Sequence, residues 1–169
     1  MQNRSIDEAL LASYSDDIPT FLKKIFAARS LKESDLSLSL SGLHKPNFSQ
    51  MNTAIELLES AIKLDKRILI VGDFDADGAT ATAVALKALR LMGAKQVDFL
   101  VPNRFKHGYG LSTEIVNEAK REKDPDLIIT VDNGISSNEG TQLARSFDID
   151  VIITDHHLPS HELPMANAI

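Results

Sequence analysis

Three short clusters hold the residues best suited to chemistry: Asp73, Asp75 and Asp77 in the run GDFDADG, Asp132 in DNG, and the consecutive Asp155, His156 and His157. The first three acids are spaced by two, so an extended backbone points them the same way. Carboxylates held that close repel one another unless cations lie among them or some are protonated. Adding Asp132, His156 and His157 gives a mixed oxygen and imidazole set, which suits Mn²⁺ or Mg²⁺, with imidazole favouring Mn²⁺. Two such ions about 3.5–4 Å apart activate a water and stabilise the leaving oxygen in phosphate-ester cleavage.

Each cluster alone has an ordinary explanation. An acidic DxDxDG run also opens a calcium-binding EF-hand loop, but that loop wants Glu at its twelfth position, where Val84 stands here. Asp132-Asn133-Gly134 alone reads as a turn, and a pair of histidines occurs by chance. What joins them is position. Apolar runs at Ile68–Val71, 97–101, Leu127–Val131 and 151–154 read as short strands, and three of the four are followed at once by one of the clusters. In an open parallel sheet ligands bind beyond the carboxyl ends of the strands. Distant acids and imidazoles are therefore expected along one edge of one sheet.

The elements that must position them alternate. Helix-like stretches at 78–92, 112–121 and 136–147 separate the four apolar runs. That order implies βαβ units, right-handed crossovers and an α/β fold with a mostly parallel, Rossmann-like sheet flanked by helices. The near-continuous Ile, Val and Leu content of the runs indicates strands buried on both faces. Gly78 is expected to let the chain turn sharply into the first of these helices, whose positive dipole end then faces the acids. Upstream, Pro19 suits a helix first turn ahead of Phe21, Leu22, Ile25 and Phe26, and a Ser/Leu stretch with Gly42 and Pro46 breaks the pattern. A second helix over 50–63 carries Ile55, Leu58 and Ile62 on one side. Residues 1–64 thus read as a helical N-terminal extension and 65–169 as an α/β domain. The last residues, 165–169, look like the start of another buried strand, so the domain reads as truncated at its C-terminus.

Bulk properties narrow the class. At 169 residues with 43% hydrophobic content the chain suits one well-packed domain rather than disorder or fibre. The absence of cysteine rules out disulfides and thiolate metal sites. No apolar run reaches the roughly 20 residues that span a bilayer, and the N-terminus lacks a signal pattern, so a cytoplasmic protein without a membrane partner is expected. The net charge of −6 argues against a wholly basic nucleic-acid binder, yet a cation-holding pocket needs acids, and basic residues gather at Lys23, Lys24, Arg29 and Lys32 and again at Arg104, Lys106, Lys120, Arg121 and Lys123. His44 and His161 read as solvated loop residues, Tyr14 and Phe147 as packing residues.

The segment 104–110 supplies candidate substrate contacts in Arg104, Tyr109 and Gly110. Arg104 beside Phe105 and Tyr109 suits a phosphate and a stacked base. The same stretch reads equally well as a glycine-containing surface loop ahead of a helix capped by Ser112.

Taken together these residues resemble the DHH phosphoesterases, a family named for the triplet matched by Asp155, His156 and His157. VGDFDADGATATA is similar to the family's first motif, TVDNGI to its second and TDHHLP to its third, over about 67–169. Within the family, the DFDADG form, NRFKHGYGLS and the LPMANAI ending are most similar to its single-stranded-DNA exonucleases, and the helical lead fits them too. The resemblance implies a 5′→3′ exonuclease of DNA repair and recombination that uses two Mn²⁺ or Mg²⁺ ions and releases mononucleotides. It implies metal positions at Asp75, Asp77, Asp132, His156 and His157, a water-orienting role for Asp73, a histidine-orienting role for Asp155, and a grip on the strand's phosphate by Arg104. It names no protein partner. The family also uses a further ligating Asp from a fourth motif, a second lobe and a DNA-binding OB-fold, none of which is in this sequence, so the isolated chain is expected to have little activity. Other branches of the family act on short oligonucleotides, cyclic dinucleotides, pyrophosphate or polyphosphate. The pyrophosphatase opening HxxxDxD is not matched, because Val71 stands where its His belongs. A non-catalytic scaffold with a decayed site is the third reading, and the complete acid and imidazole set argues against it.

Overall fold

The computed structural model describes residues 5–36 and 48–169. The stretch with Gly42, His44 and Pro46 lies outside them. The chain forms two compact units, Met1–Pro46 and Asn47–Ile169. In the first, α1 (Glu8–Ser13) is capped by Asp7, whose carboxylate accepts from the Leu10 amide at 3.0 Å. Helix α2 (Thr20–Ala27) follows directly on Pro19, and a single 3-10 turn spans Glu33–Leu36. Tyr14 is buried, packs edge-on to Phe26 and donates its hydroxyl to the Leu31 carbonyl.

The second unit begins with α3 (Met51–Lys63), so the helix assigned by sequence to the N-terminal extension belongs with the α/β unit. The reason lies in its buried face. Ala54, Leu57, Leu58, Ala61 and Ile62 pack into the sheet's core, whereas Ile55 is exposed; the alanines complete a stripe that the bulky residues alone misplace. Then come β1 (Ile68–Val71), α4 (Ala76–Leu91), β2 (Val97–Leu100), α5 (Arg104–His107), α6 (Thr113–Glu122), β3 (Leu127–Val131), α7 (Asn138–Ser146) and β4 (Asp150–Thr154). The segment 104–110 therefore opens with a helical turn, capped by Asn103 through the Phe105 amide at 3.0 Å, which is too short to show a periodicity. Ser112 caps α6 as its sequence suggests, accepting from the Ile115 amide.

All four strands are parallel, in the order β2-β1-β3-β4. Side chains alternate across the sheet. Ile68 and Ile70 face one core layer with Leu89 and the α3 stripe, while Leu69 and Val71 face the other with Ile115, Val116 and Ala119 of α6 and Ala144 of α7. Each fully buried Ile or Leu stabilises the sandwich by about 1.5–3 kcal/mol relative to exposure. Burial on both faces holds for β1 and β3 throughout, but β2 lies at the edge and exposes Asp98 and Phe99. At the other edge Ala168 makes an isolated parallel bridge with Ile152, which fits the strand-like reading of the last residues.

The order fixes where a crevice opens. From β1 the chain crosses to β2 on one side, and β3 and β4 build outward on the other, so the switch point lies between β1 and β3. The register pairs Val71 with Leu100 and Thr130, and Val131 with Thr154. The residues next in sequence leave the sheet along one rim, with Asp73 and Asp132 flanking the switch point.

Candidate metal centre

Asp73, Asp75 and Asp132 offer carboxylate oxygens that all lie within 4.8 Å of one another, and Asp132, His156 and His157 form a second group under the same limit. Asp132 belongs to both. Residues from the ends of three strands thus meet, as the sequence predicts. Asp132 takes a left-handed backbone (φ 64°) and its amide donates to the Thr154 carbonyl at 3.0 Å, locking the end of β3 to the end of β4. Its side chain is only 7% exposed. Burial pushes its carboxyl above the ordinary range; the hydrogen bond with His156 opposes this, and Asp75 adds to it. A carboxylate that resists ionisation beside other acids is a site in want of positive charge.

The acids near β1 are held unequally. Asp73 is buried and accepts from the Phe74 amide at 2.7 Å. Asp75 is the N-cap of α4, and one of its oxygens accepts from the Asp77 and Gly78 amides at 3.1 and 3.0 Å. Asp77 is exposed and stands outside both groups. Its alternation with Asp73 and Asp75 presumed an extended chain, whereas α4 already begins at Ala76 and two residues of helix turn a side chain by about 200°. Gly78 lies inside that first turn, and a Cβ there would stand 2.5 Å from the Asp73 carbonyl oxygen. Glycine is needed for this close approach, not for a sharp turn.

Asp155 organises the imidazoles. Its side chain is 1% exposed, and one oxygen accepts from the His156 amide (2.7 Å), the His157 amide (3.0 Å) and His157 Nδ1 (2.7 Å), the other from the Ile135 amide (2.9 Å). Burial raises its pKa, but these bonds together prevail and hold the carboxyl below its usual range. The same carboxylate raises the His157 pKa. Because Nδ1 donates to Asp155, Nε2 is the His157 nitrogen with a lone pair to offer in the neutral ring. His156 Nε2 lies 2.9 Å from Asp132 Oδ1.

Tyr109 stands over this assembly. Its hydroxyl donates to the Asp132 carbonyl and its oxygen lies near His157 Nδ1, both at 3.2 Å. Burial, with the charges of Asp155, Asp73, Asp132 and Asp75, pushes its pKa up to about 12, so it stays protonated at neutral pH. Arg104 lies 4.4 Å over the Phe74 ring, next to Asp73 in sequence. Gly110 (φ 75°) packs against Ser137, where a Cβ would meet Oγ at 2.9 Å, which gives glycine a packing reason there. Four contributors escape the sequence reading: Phe74 under Arg104, the Ile135 amide on Asp155, Asn133, and His107, which bonds the Asn103 amide and pairs with Glu118 on α6. None carries a sequence signal beyond its residue type. An open cleft of about 480 Å³ adjoins the centre, lined by Tyr109, Ile135, Ser136, Ser137, His157 and Leu158.

Comparison with known proteins finds matching sequences and folds. The pattern of the DHH family, N-terminal domain, matches residues 67–169. The single-stranded-DNA-specific exonuclease RecJ of Escherichia coli K12 is 45% identical over 171 aligned residues, which cover 100% of this chain and 29% of that protein. RecJ of Bacillus subtilis is 45% identical over 119 residues, covering 70% of this chain and 15% of that protein. The chain thus spans under a third of the length of the curated relatives it matches. Among solved structures, exonuclease RecJ bound to manganese superposes with a TM-score of 0.66 at 36% identity, covering 73% of this chain and 31% of that one. RecJ from Thermus thermophilus in complex with Mn²⁺ gives 0.61 at 27% identity, over 95% and 23%.

Proposed function

The chain belongs to the DHH family, and from that premise we propose that it is the cation-holding part of a phosphodiesterase that degrades single-stranded DNA from the 5′ end, in repair and recombination and in the cytoplasm. The observation that carries this is the pair of donor groups sharing Asp132, because one buried acid common to both is the arrangement a pair of neighbouring cations needs. The donors are carboxylate and imidazole only, which fits Mn²⁺ or Mg²⁺. Asp75, Asp77, Asp132, His156 and His157 would hold the ions, with Asp73 grouped beside Asp75 and Asp132. When bound, these supply Lewis acidity toward a phosphate oxygen and lower the pKa of a water.

The chain's own residues do the rest. Asp155 fixes the backbone of both histidines and the ring of His157, so that ring keeps its aim when substrate arrives. Asp75 spends one oxygen on the α4 amides, which orients its carboxylate. Asp77, in the first turn of α4, adds negative charge that acts on Asp132. Arg104 offers a forked, always charged donor to a backbone phosphate, and the half-exposed ring of Tyr109 gives a base a face to stack on. Both contacts tolerate any sequence, as an exonuclease requires.

The test uses the full-length protein, 5′-labelled single-stranded and duplex DNA, and Mn²⁺. Cleavage of the single strand, lost in Asp75→Ala and Asp132→Ala, is the expected result. Undiminished cleavage by either variant sinks the reading.

A further inference from the structure

We infer that Asn133 is a positioning residue: its side-chain amide sets the separation between the carboxylates carried by β1 and the carboxylate carried by β3. This deepens the cation-site reading above and rests on it. Two strands whose crossovers diverge have no further ladder bonds to hold their ends together, yet Asp73 and Asp75 leave from one end and Asp132 from the other. Asn133 closes that gap. Its Nδ2 donates to the Val71 carbonyl at 3.0 Å and to the Val131 carbonyl at 2.9 Å, the last residues of β1 and β3.

The side chain is 0% exposed, so neither bond competes with water. Its oxygen is buried with no partner among the described residues. A side-chain amide has two donor positions, and Asn133 uses both on strand-end carbonyls. Asn133 also follows Asp132, whose left-handed backbone turns the chain back over the sheet so that the next side chain reaches both carbonyls. One residue thus swings the Asp132 carboxylate into the site, and its neighbour ties that bend to the strand bearing Asp73 and Asp75. An ordinary turn asparagine would bond its own loop, whereas this one reaches a carbonyl 62 positions away in the chain.

The experiment measures Mn²⁺ affinity by titration calorimetry and thermal midpoint without Mn²⁺, both on the full-length protein, for wild type, Asp132→Ala, Asn133→Leu and Asn133→Ser. Leucine keeps the bulk and removes both donors; serine keeps a single donor and is the milder change should the leucine variant not fold. The expected result is Mn²⁺ binding by wild type, none by Asp132→Ala, and at least roughly 10-fold weaker binding by the folded Asn133 variants, the range seen when residues supporting metal ligands are lost. A lowered midpoint with wild-type affinity in either folded variant overturns the inference and leaves the site reading standing. Failure of wild type itself to bind Mn²⁺ overturns both.

Discussion

The two rims of the sheet are built from the same residue types and solve opposite problems. At the amino ends of the strands, acids and bases neutralise one another. Arg67 reaches Asp124 at 2.6 Å and Asp126 at 3.0 Å, Lys123 reaches Asp98 at 2.6 Å, and Lys66 reaches Asp150 at 3.4 Å. At the carboxyl ends, Asp73, Asp75, Asp132 and Asp155 have no Lys or Arg within ion-pair distance among the described residues, and the partners of Asp132 and Asp155 are His156 and His157. Arg104, the nearby cation, lies over Phe74 instead. One rim is a clasp that closes on itself; the other holds its charge open for something that arrives. The lesson is that acid content marks no site. Acids left without their usual partners do.

That contrast breaks most clearly under paired substitutions in the full-length protein. Asp132→Ala is expected to lower cleavage of single-stranded DNA by far more than the ~100-fold that loss of a merely supporting residue costs, with the fold retained without metal. Arg67→Ala is expected to do the reverse, lowering the thermal midpoint while the folded protein keeps its cleavage rate. If Arg67→Ala abolished activity at unchanged midpoint, the division of the rims would fall. Asp155→Asn comes next in size. It keeps the shape but sets an amide against the Ile135 or His157 donors, so Mn²⁺ affinity should drop by roughly 10- to 100-fold. Full affinity in that variant would make Asp155 a passive filler.

Much of this was legible in the sequence because the strands are apolar runs with abrupt ends. β1 and β3 match their runs residue for residue, and the acids follow at once, so the rim could be read before any geometry. What was not legible depends on partners that sequence does not name. Edge strand β2 reads like its neighbours, but only topology tells that Phe99 stays about half exposed. Asp77 looks equivalent to Asp75 in sequence, yet Asp75 caps α4 whereas Asp77 sits within its first turn. Asn133 reads as a turn residue, since nothing local reveals that its amide crosses to Val71. Arg104 and its likeness to phosphate-binding arginines were visible, while the ring beneath it was not.

The smallest effect tests the sign of the charge balance at the two rims. Asp126 has its carboxyl held low, first by its hydrogen bond to Arg67, against the opposing effect of burial. A depressed folded pKa contributes stability that is present above the unfolded value, about 3.9, and lost as pH falls through the folded value. Asp132 is the opposite case. Its folded pKa is raised by burial, so the native state binds the proton more tightly than the unfolded chain, and stability drains away as pH rises from about 3.9 through the folded value. At neutral pH and without Mn²⁺, Asp132→Asn should therefore raise the thermal midpoint, on the order of 2–4 °C. Asp126→Asn should lower it by less, because that carboxylate is partly screened by water. Saturating Mn²⁺ should invert the first result and leave the second untouched, since only the open rim gains from a cation. Two shifts of the same sign without metal would mean that Asp132 is a clasp residue like Asp126, and the distinction between the rims would be lost.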